Sequence, residues 1–103
     1  MLAAIRAFIE SHLDSQLTID RLASELGIST SHFARSFRFS VGMTPHEYVM
    51  GCRLRRARQL LTGTNLTLIE IALQTGFADQ SHFSRRFQAF SGYPPRVFRK
   101  QQR

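Results

Sequence analysis

The fold is decided by a stretch of sequence that occurs twice. Residues 22–45 are LASELGISTSHFARSFRFSVGMTP, and residues 71–95 are IALQTGFADQSHFSRRFQAFSGYPP. The copies align at an offset of 49 up to Ile28 and Phe77, just after the glycines, and at an offset of 50 from Ser29 and Asp79 onward, which places one extra residue in the second turn. A helix, a short turn with glycine and a second helix form a helix-turn-helix motif, and its recurrence in register is an internal repeat. The sequence therefore predicts two helix-turn-helix units.

Helical patterning continues outward from both copies. Thr44-Pro45-His46-Glu47 is typical of a helix start, because Thr44 and Glu47 can cap each other's amides and Pro45 lies where no amide is needed. We predict an all-α fold of seven helices, at about 2–13, 19–26, 30–40, 44–61, from Thr67 to near Gly76, 80–91, and onward from Pro94-Pro95. The predicted domain spans 1–103, with a first helix-turn-helix subdomain over 1–43, a linker helix over 44–62 and a second subdomain over 63–103.

Positive charge is concentrated in the second half of the chain. The net charge is +7, yet residues 1–50 carry −1 and residues 51–103 carry +8. Such asymmetry favours a polyanionic partner, and nucleic acid, an anionic membrane and an acidic protein all remain open on charge alone. Thirteen of the fourteen basic residues are Arg, whose planar fork can bind phosphate or a guanine edge in two places, which favours DNA.

The second helix of each copy has two distinct faces at about 100° per residue. Phe33 and Phe37 in one copy, and Phe83, Phe87 and Phe90 in the other, lie together and predict a core face. The opposite faces carry small, polar and Arg side chains that suit a DNA major groove. We expect Ser29 and Asp79 to cap these helices, and His32 and His82 to pack at the edge of the core with one hydrogen bond each.

At this point the chain resembles the AraC/XylS family of bacterial transcription regulators over essentially its whole length. The resemblance rests on two segments: Ala23…Gly27…Ser31-His32-Phe33…Arg35…Phe37…Gly42…Thr44-Pro45…Tyr48, and Ile71-Ala72…Gly76-Phe77…Gln80-Ser81-His82-Phe83-Ser84-Arg85…Phe87…Gly92…Pro94-Pro95…Phe98. It implies two helix-turn-helix subdomains on a shared linker helix, with two reading helices in adjacent major grooves of double-stranded DNA. It also implies a transcription regulator, in many relatives an activator that contacts RNA polymerase. Many relatives carry a sensory or dimerisation domain, so a domain of this kind outside this chain and a small stand-alone regulator both remain open.

Carried over by position, the resemblance assigns seven base-reading residues. We name them the first reading face (Ser31, Ala34 and Arg35) and the second reading face (Gln80, Ser81, Ser84 and Arg85). Ala34 departs from the long polar residue that is common there, so the first unit is expected to read fewer base pairs. The candidate phosphate contacts are Thr30, Arg38, Arg56, Arg86 and Arg96.

Other classes of function find less support in the sequence. There is no Gly-rich phosphate loop, no His-Glu-x-x-His helix and no Cys cluster, so we expect neither an enzyme nor a metal or cofactor. The chain has no apolar run of membrane-spanning length and no signal-peptide pattern, and we expect a cytoplasmic, nucleoid-associated protein with no membrane partner. A protein-binding helical adaptor and an RNA binder remain the alternatives, although the A-form major groove is too narrow for these helices.

Overall fold

The computed structural model describes residues 2–102, which form seven α-helices and no β-strand. The ends of the predicted domain, Met1 and Arg103, lie outside the described residues. The helices are α1 (Leu2–Ser11), α2 (Ile19–Glu25), α3 (Thr30–Val41), α4 (Pro45–Gly63), α5 (Leu68–Gln74), α6 (Gln80–Ser91) and α7 (Pro95–Gln102). The predicted all-α class with seven helices is confirmed. In the described part of the chain, no helix is both long enough and apolar enough to cross a bilayer.

The helices belong to two compact units that divide within α4. The first unit ends at Cys52 and the second begins at Arg53. Each unit therefore contains one helix-turn-helix pair, α2–α3 or α5–α6, together with a part of α4. The finer division into residues 1–43, 44–62 and 63–103 stays a prediction.

The core of the first unit is formed by one face of each of its helices. The two aromatic rings of α3, Phe33 and Phe37, are buried, with ring centroids 5.6 Å apart. The ring of Tyr48 on α4 meets Phe37 edge-on at 5.4 Å, and its hydroxyl accepts a hydrogen bond from Nε of Arg6 at 3.0 Å. Burial, followed by the nearby Cys52 thiol, raises the pKa of the Tyr48 phenol. These contacts pack α3 against α4 and join α4 to α1, and they leave the opposite face of α3 outward.

The core of the second unit repeats this design with more aromatic rings. Phe83 and Phe87 of α6 are fully buried, with centroids 5.7 Å apart. Phe77, from the turn before α6, packs on Phe83 at 5.3 Å, and Phe98 of α7 meets Phe87 edge-on at 5.2 Å. Because α6 is held by rings on both sides, its outward face is set by packing and does not depend on a partner.

The turn inside each pair closes on a glycine in the left-handed backbone region, with φ of 69° at Gly27 and 85° at Gly76. The next residue then donates its amide to the carbonyl of a buried alanine five positions earlier: Ile28 to Ala23 at 3.2 Å, and Phe77 to Ala72 at 2.9 Å. This is the Schellman arrangement, in which only glycine avoids a steric penalty at the left-handed position. Its recurrence confirms that the sequence repeat is also a repeat of backbone geometry.

The predicted helix starts are present as reciprocal caps. At α4, the amide of Glu47 donates to Oγ1 of Thr44 at 3.2 Å, and the amide of Thr44 donates to Oε1 of Glu47 at 3.1 Å. The same exchange joins Thr67 and Glu70 at the start of α5. The predicted capping box of α4 is confirmed, and α5 begins with a second one.

The ends of α1 and α4 each differ from the prediction by two residues. The first helix stops at Ser11 and not near residue 13, because the amide of His12 bonds the carbonyl of Ile9 three residues back and starts a tight turn. The helix α4 continues through Gly63, beyond the expected end at 61. There the amide and the hydroxyl of Thr64 both donate to the carbonyl of Leu60, at 3.1 Å and 2.6 Å, which completes the last turn.

Candidate nucleic-acid interface

The first reading face lies on the outward side of α3. Ser31 and Arg35 are exposed and Ala34 is half-buried, while Phe33 and Phe37 on the opposite side are buried. The small side chains of Ser31 and Ala34 leave the backbone of α3 accessible beside the longer Arg35. Such a surface allows a helix to approach base edges closely while one Arg reaches further.

The second reading face has the same design on α6. Gln80, Ser81 and Arg85 are exposed and Ser84 is half-buried, opposite the fully buried Phe83. Gln80 is the first residue of the helix, and its amide group can bond two atoms of an adenine edge. Arg85 lies one turn after Ser81 and can bond two atoms of a guanine edge. The structure thus brings the predicted readers of each unit onto one accessible helix face.

Both reading helices begin with the side-chain caps that were expected. Oγ of Ser29 accepts from the amide of His32 at 3.1 Å, and Oδ1 of Asp79 accepts from the amide of His82 at 2.7 Å. These two side chains satisfy amides at the helix starts, so their first role is to define where α3 and α6 begin.

The two histidines at equivalent positions have different surroundings. His82 is half-buried and its ring meets the Phe77 ring edge-on at 5.4 Å, which matches the expected packing. His32 is exposed, contrary to the expectation of packing at the core edge. The residue equivalent to Phe77 in the first unit is Ile28, which offers no aromatic ring for His32.

The candidate phosphate contacts divide into a hydroxyl and four Arg. Arg38, Arg56, Arg86 and Arg96 are exposed, and Nη1 of Arg56 donates to the Gln59 side chain at 3.3 Å. Thr30, the first residue of α3, instead donates its hydroxyl to Oδ1 of Asp20 on α2 at 2.6 Å. Reading the sequence by helix faces could not find this contact, because it joins two helices across a turn.

Several other basic side chains of the second unit contact groups of the protein itself or are partly buried. Arg99 donates from Nε to the carbonyl of Leu61 at 3.0 Å and from Nη2 to that of Thr64 at 3.4 Å. The guanidinium of Arg58 lies over the ring of Phe90, 5.5 Å from its centroid. Burial lowers the pKa of the half-buried Arg53 guanidinium. Arg99 therefore stabilises the end of α4, and Arg58 packs on the ring of Phe90.

The apolar surface holds one feature that the sequence analysis missed. Phe39, on the last turn of α3, is 94% exposed, whereas the other two phenylalanines of that helix are buried. Within residues 2–102 there is no cluster of three or more potential metal ligands.

This chain is similar to known proteins both in sequence and in fold. Residues 22–101 match a protein family described as helix-turn-helix domain. The fold superimposes on an AraC-type regulator from Chromobacterium violaceum with a TM-score of 0.88 and 32% identity, over 95% of this chain and 88% of that one. The chain belongs to the AraC-type helix-turn-helix family.

Relatives of this AraC-type chain are transcription regulators of different lengths. The HTH-type transcriptional activator AarP of Providencia stuartii is 36% identical over 99 residues, covering 96% of this chain and 73% of AarP. GbdR of Pseudomonas aeruginosa, an HTH-type transcriptional regulator, is 36% identical over 101 residues, covering 98% of this chain but 28% of GbdR. The AraC-type chain thus spans most of one relative and under a third of the other.

A further AraC-type relative has been solved on DNA. The DNA-binding domain of AdpA, a global transcriptional factor in complex with a target DNA, has a TM-score of 0.92 and 27% identity to this chain. The match covers 97% of this chain and 90% of the AdpA chain.

Proposed function

We propose that this chain binds double-stranded DNA in a sequence-specific manner and regulates transcription as an activator. Its two reading helices, α3 and α6, enter adjacent major grooves. The observation that carries the proposal is the repeated presentation of small, polar and Arg side chains on a helix whose other face is buried on phenylalanines. Family membership and the DNA-bound AdpA domain support it.

The residues of the two reading faces make the contacts to bases. Arg35 and Arg85 each bind the O6 and N7 atoms of a guanine, and Gln80 binds an adenine edge. Ser31, Ser81 and Ser84 allow the helices close to the bases and donate single hydrogen bonds. The methyl group of Ala34 meets a thymine methyl group, so the first unit specifies fewer base pairs than the second.

Contacts to phosphates hold the register of the protein on the duplex. The exposed Arg38 and Arg56, with Arg86 and Arg96 of the second unit, supply them. Thr30 makes a phosphate contact only when its hydroxyl no longer donates to Asp20. Each such contact releases counterions from the DNA and makes the affinity fall with salt.

A regulator of this kind acts by binding and not by catalysis. The name of AarP, a transcriptional activator, supports a role in activation. Activation then requires contact with RNA polymerase. The match covers 28% of GbdR, which leaves room in that relative for a further domain, and a sensory or dimerisation domain outside this chain is part of the proposal. Its place of action is the nucleoid.

The test is selection of bound duplexes from a random pool, followed by titration of the selected and a scrambled duplex at several salt concentrations. We expect one enriched sequence, a preference of at least about 10³ over the scrambled duplex, and a steep loss of affinity with salt. A steep salt dependence without preference would favour the adaptor alternative, in which Arg binds acidic surfaces. Equal competition by duplex RNA would favour the RNA alternative.

A further inference from the structure

The two reading helices begin in different chemical surroundings although the units are repeats. By the repeat offsets, Asp20 and Thr30 of the first unit correspond to Ile69 and Gln80 of the second. In the first unit the Thr30 hydroxyl donates to the Asp20 carboxylate at 2.6 Å. In the second, Ile69 is 58% exposed and lines an open groove beside Gln80. Only the first reading helix thus starts next to a carboxylate from its partner helix.

From this difference we infer that Asp20 weakens DNA binding by the first unit. Its carboxylate accepts the hydrogen bond that the Thr30 hydroxyl would otherwise donate to a DNA phosphate. The inference rests on the proposed function, and it names an affinity-setting residue within that interface.

The Thr30 hydroxyl can donate to the Asp20 carboxylate or to a DNA phosphate, but not to both at once. A threonine hydroxyl carries a single proton, and both a carboxylate and a DNA phosphate only accept hydrogen bonds. While Thr30 donates to Asp20, it has no proton to donate to DNA. The exposed Asp20 also places a negative charge at Thr30, at the start of α3, where the phosphates of a bound duplex would approach. Both effects oppose binding, and neither depends on the DNA sequence.

The two halves of the chain differ in net charge, and this difference favours unequal contributions of the two units to DNA binding. Residues 1–50 carry a net charge of −1 and residues 51–103 carry +8. The second unit therefore supplies most of the electrostatic attraction to DNA. In the first unit, DNA phosphates compete with the Asp20 carboxylate for the Thr30 hydroxyl. Such a restraint keeps the affinity for random DNA low, because the first unit binds only when its base contacts offset the loss of the Asp20–Thr30 bond.

The experiment compares four forms of the whole chain: wild type, Asp20→Asn, Thr30→Val and the double variant. Binding to the selected duplex and to its scrambled form is measured at several salt concentrations, and a thermal melt confirms folding. We expect Asp20→Asn to raise the affinity for both duplexes by about threefold to tenfold, because it removes the negative charge and its neutral amide oxygen accepts the Thr30 proton more weakly than a carboxylate does. The gain should shrink as salt rises. Thr30→Val alone should lower the affinity by less than about threefold, because the phosphate contact that it removes from the complex is partly offset by the Asp20–Thr30 bond that it removes from the free chain. In the double variant the gain should be clearly smaller than in Asp20→Asn.

The matched control is Asp14→Asn, which removes the same charge from another exposed aspartate of the first unit and should leave the affinity unchanged. Equal effects of Asp20→Asn and Asp14→Asn would overturn the inference while leaving the proposed function intact. So would a loss of affinity in Asp20→Asn confined to one cytosine-containing site, since Asp20 would then be a base reader. Absence of any duplex preference in the wild type would overturn both.

Discussion

The Nε atom of Arg99 in α7 donates a hydrogen bond to the carbonyl oxygen of Leu61 in α4, at 3.0 Å. Because the last carbonyl groups of a helix have no partner within it, a cationic donor at this end both satisfies one of them and interacts favourably with the helix dipole. Arg99 thereby ties the last helix of the second unit to the end of α4.

Replacing Arg99 with Met should lower the free energy of unfolding by about 1–3 kcal/mol, since charged hydrogen bonds to α4 are lost while the aliphatic stem is kept. Urea unfolding followed by circular dichroism measures the change. Arg96→Met, at an exposed position of the same helix, is the control and should stay within about 0.5 kcal/mol of wild type. Equal stability of the two variants would remove Arg99 as a cap of α4.

The aromatic core of α6 leads to a second prediction. Phe87→Ala should destabilise the chain by about 3–5 kcal/mol, because the ring is fully buried and its removal leaves a cavity. Phe39→Ala removes an identical side chain that is 94% exposed and should cost no more than about 0.5 kcal/mol. Thermal melts of both variants decide the matter, and a stable Phe87→Ala variant would show that the core face of α6 is wrongly assigned.

Base reading by α6 can be separated from phosphate binding by two neighbouring residues. Arg85→Ala should lose about 1–3 kcal/mol of discrimination at one base pair, whereas Arg86→Ala should weaken binding to all duplexes alike and reduce the salt slope by about one. The measurement is a comparison of sequence-specificity profiles for both variants. An unchanged profile for Arg85→Ala would take Arg85 off the second reading face.

A pH dependence follows from the cap of α4. The backbone amide of Thr44, then its hydroxyl, lowers the pKa of the Glu47 carboxyl below its ordinary value of 4.5. A carboxyl with a lowered pKa in the folded state stabilises the fold above about pH 4.5, and this contribution is lost as the pH falls through the lowered value. The stability advantage of wild type over Glu47→Gln should therefore shrink between pH 6 and pH 3.

The measurement is the melting temperature of both proteins across that range, with Glu10→Gln as a control at an exposed glutamate of α1. A constant difference between wild type and Glu47→Gln at every pH would mean that ionisation of Glu47 contributes nothing to the cap.

Local features of the fold were predictable from sequence because they depend on neighbouring residues. The caps at Ser29 and Asp79 and the glycine turns at Gly27 and Gly76 each follow from a few adjacent residues. The inward phenylalanines follow from helical periodicity, which also predicts which residues of α3 and α6 face outward. The repeat then extended each local prediction to the second unit.

What could not be predicted depends on contacts between distant residues. Arg99 finds Leu61, 38 residues earlier, only after α7 has packed against α4. Thr30 meets Asp20 only once the first turn has brought α2 and α3 together. His32 lacks the ring that covers His82, because Ile28 stands where the second unit has Phe77. In each case the partner is chosen by packing, and no local pattern indicates it.

The central claim is that both reading helices engage one duplex, and hydroxyl-radical footprinting on the selected duplex tests it most directly. The account predicts two clusters of protected sugars on one side of the DNA, about 10 base pairs apart. Arg35→Ala should weaken one cluster, and Arg85→Ala the other. A single cluster that only Arg85→Ala affects would contradict the claim.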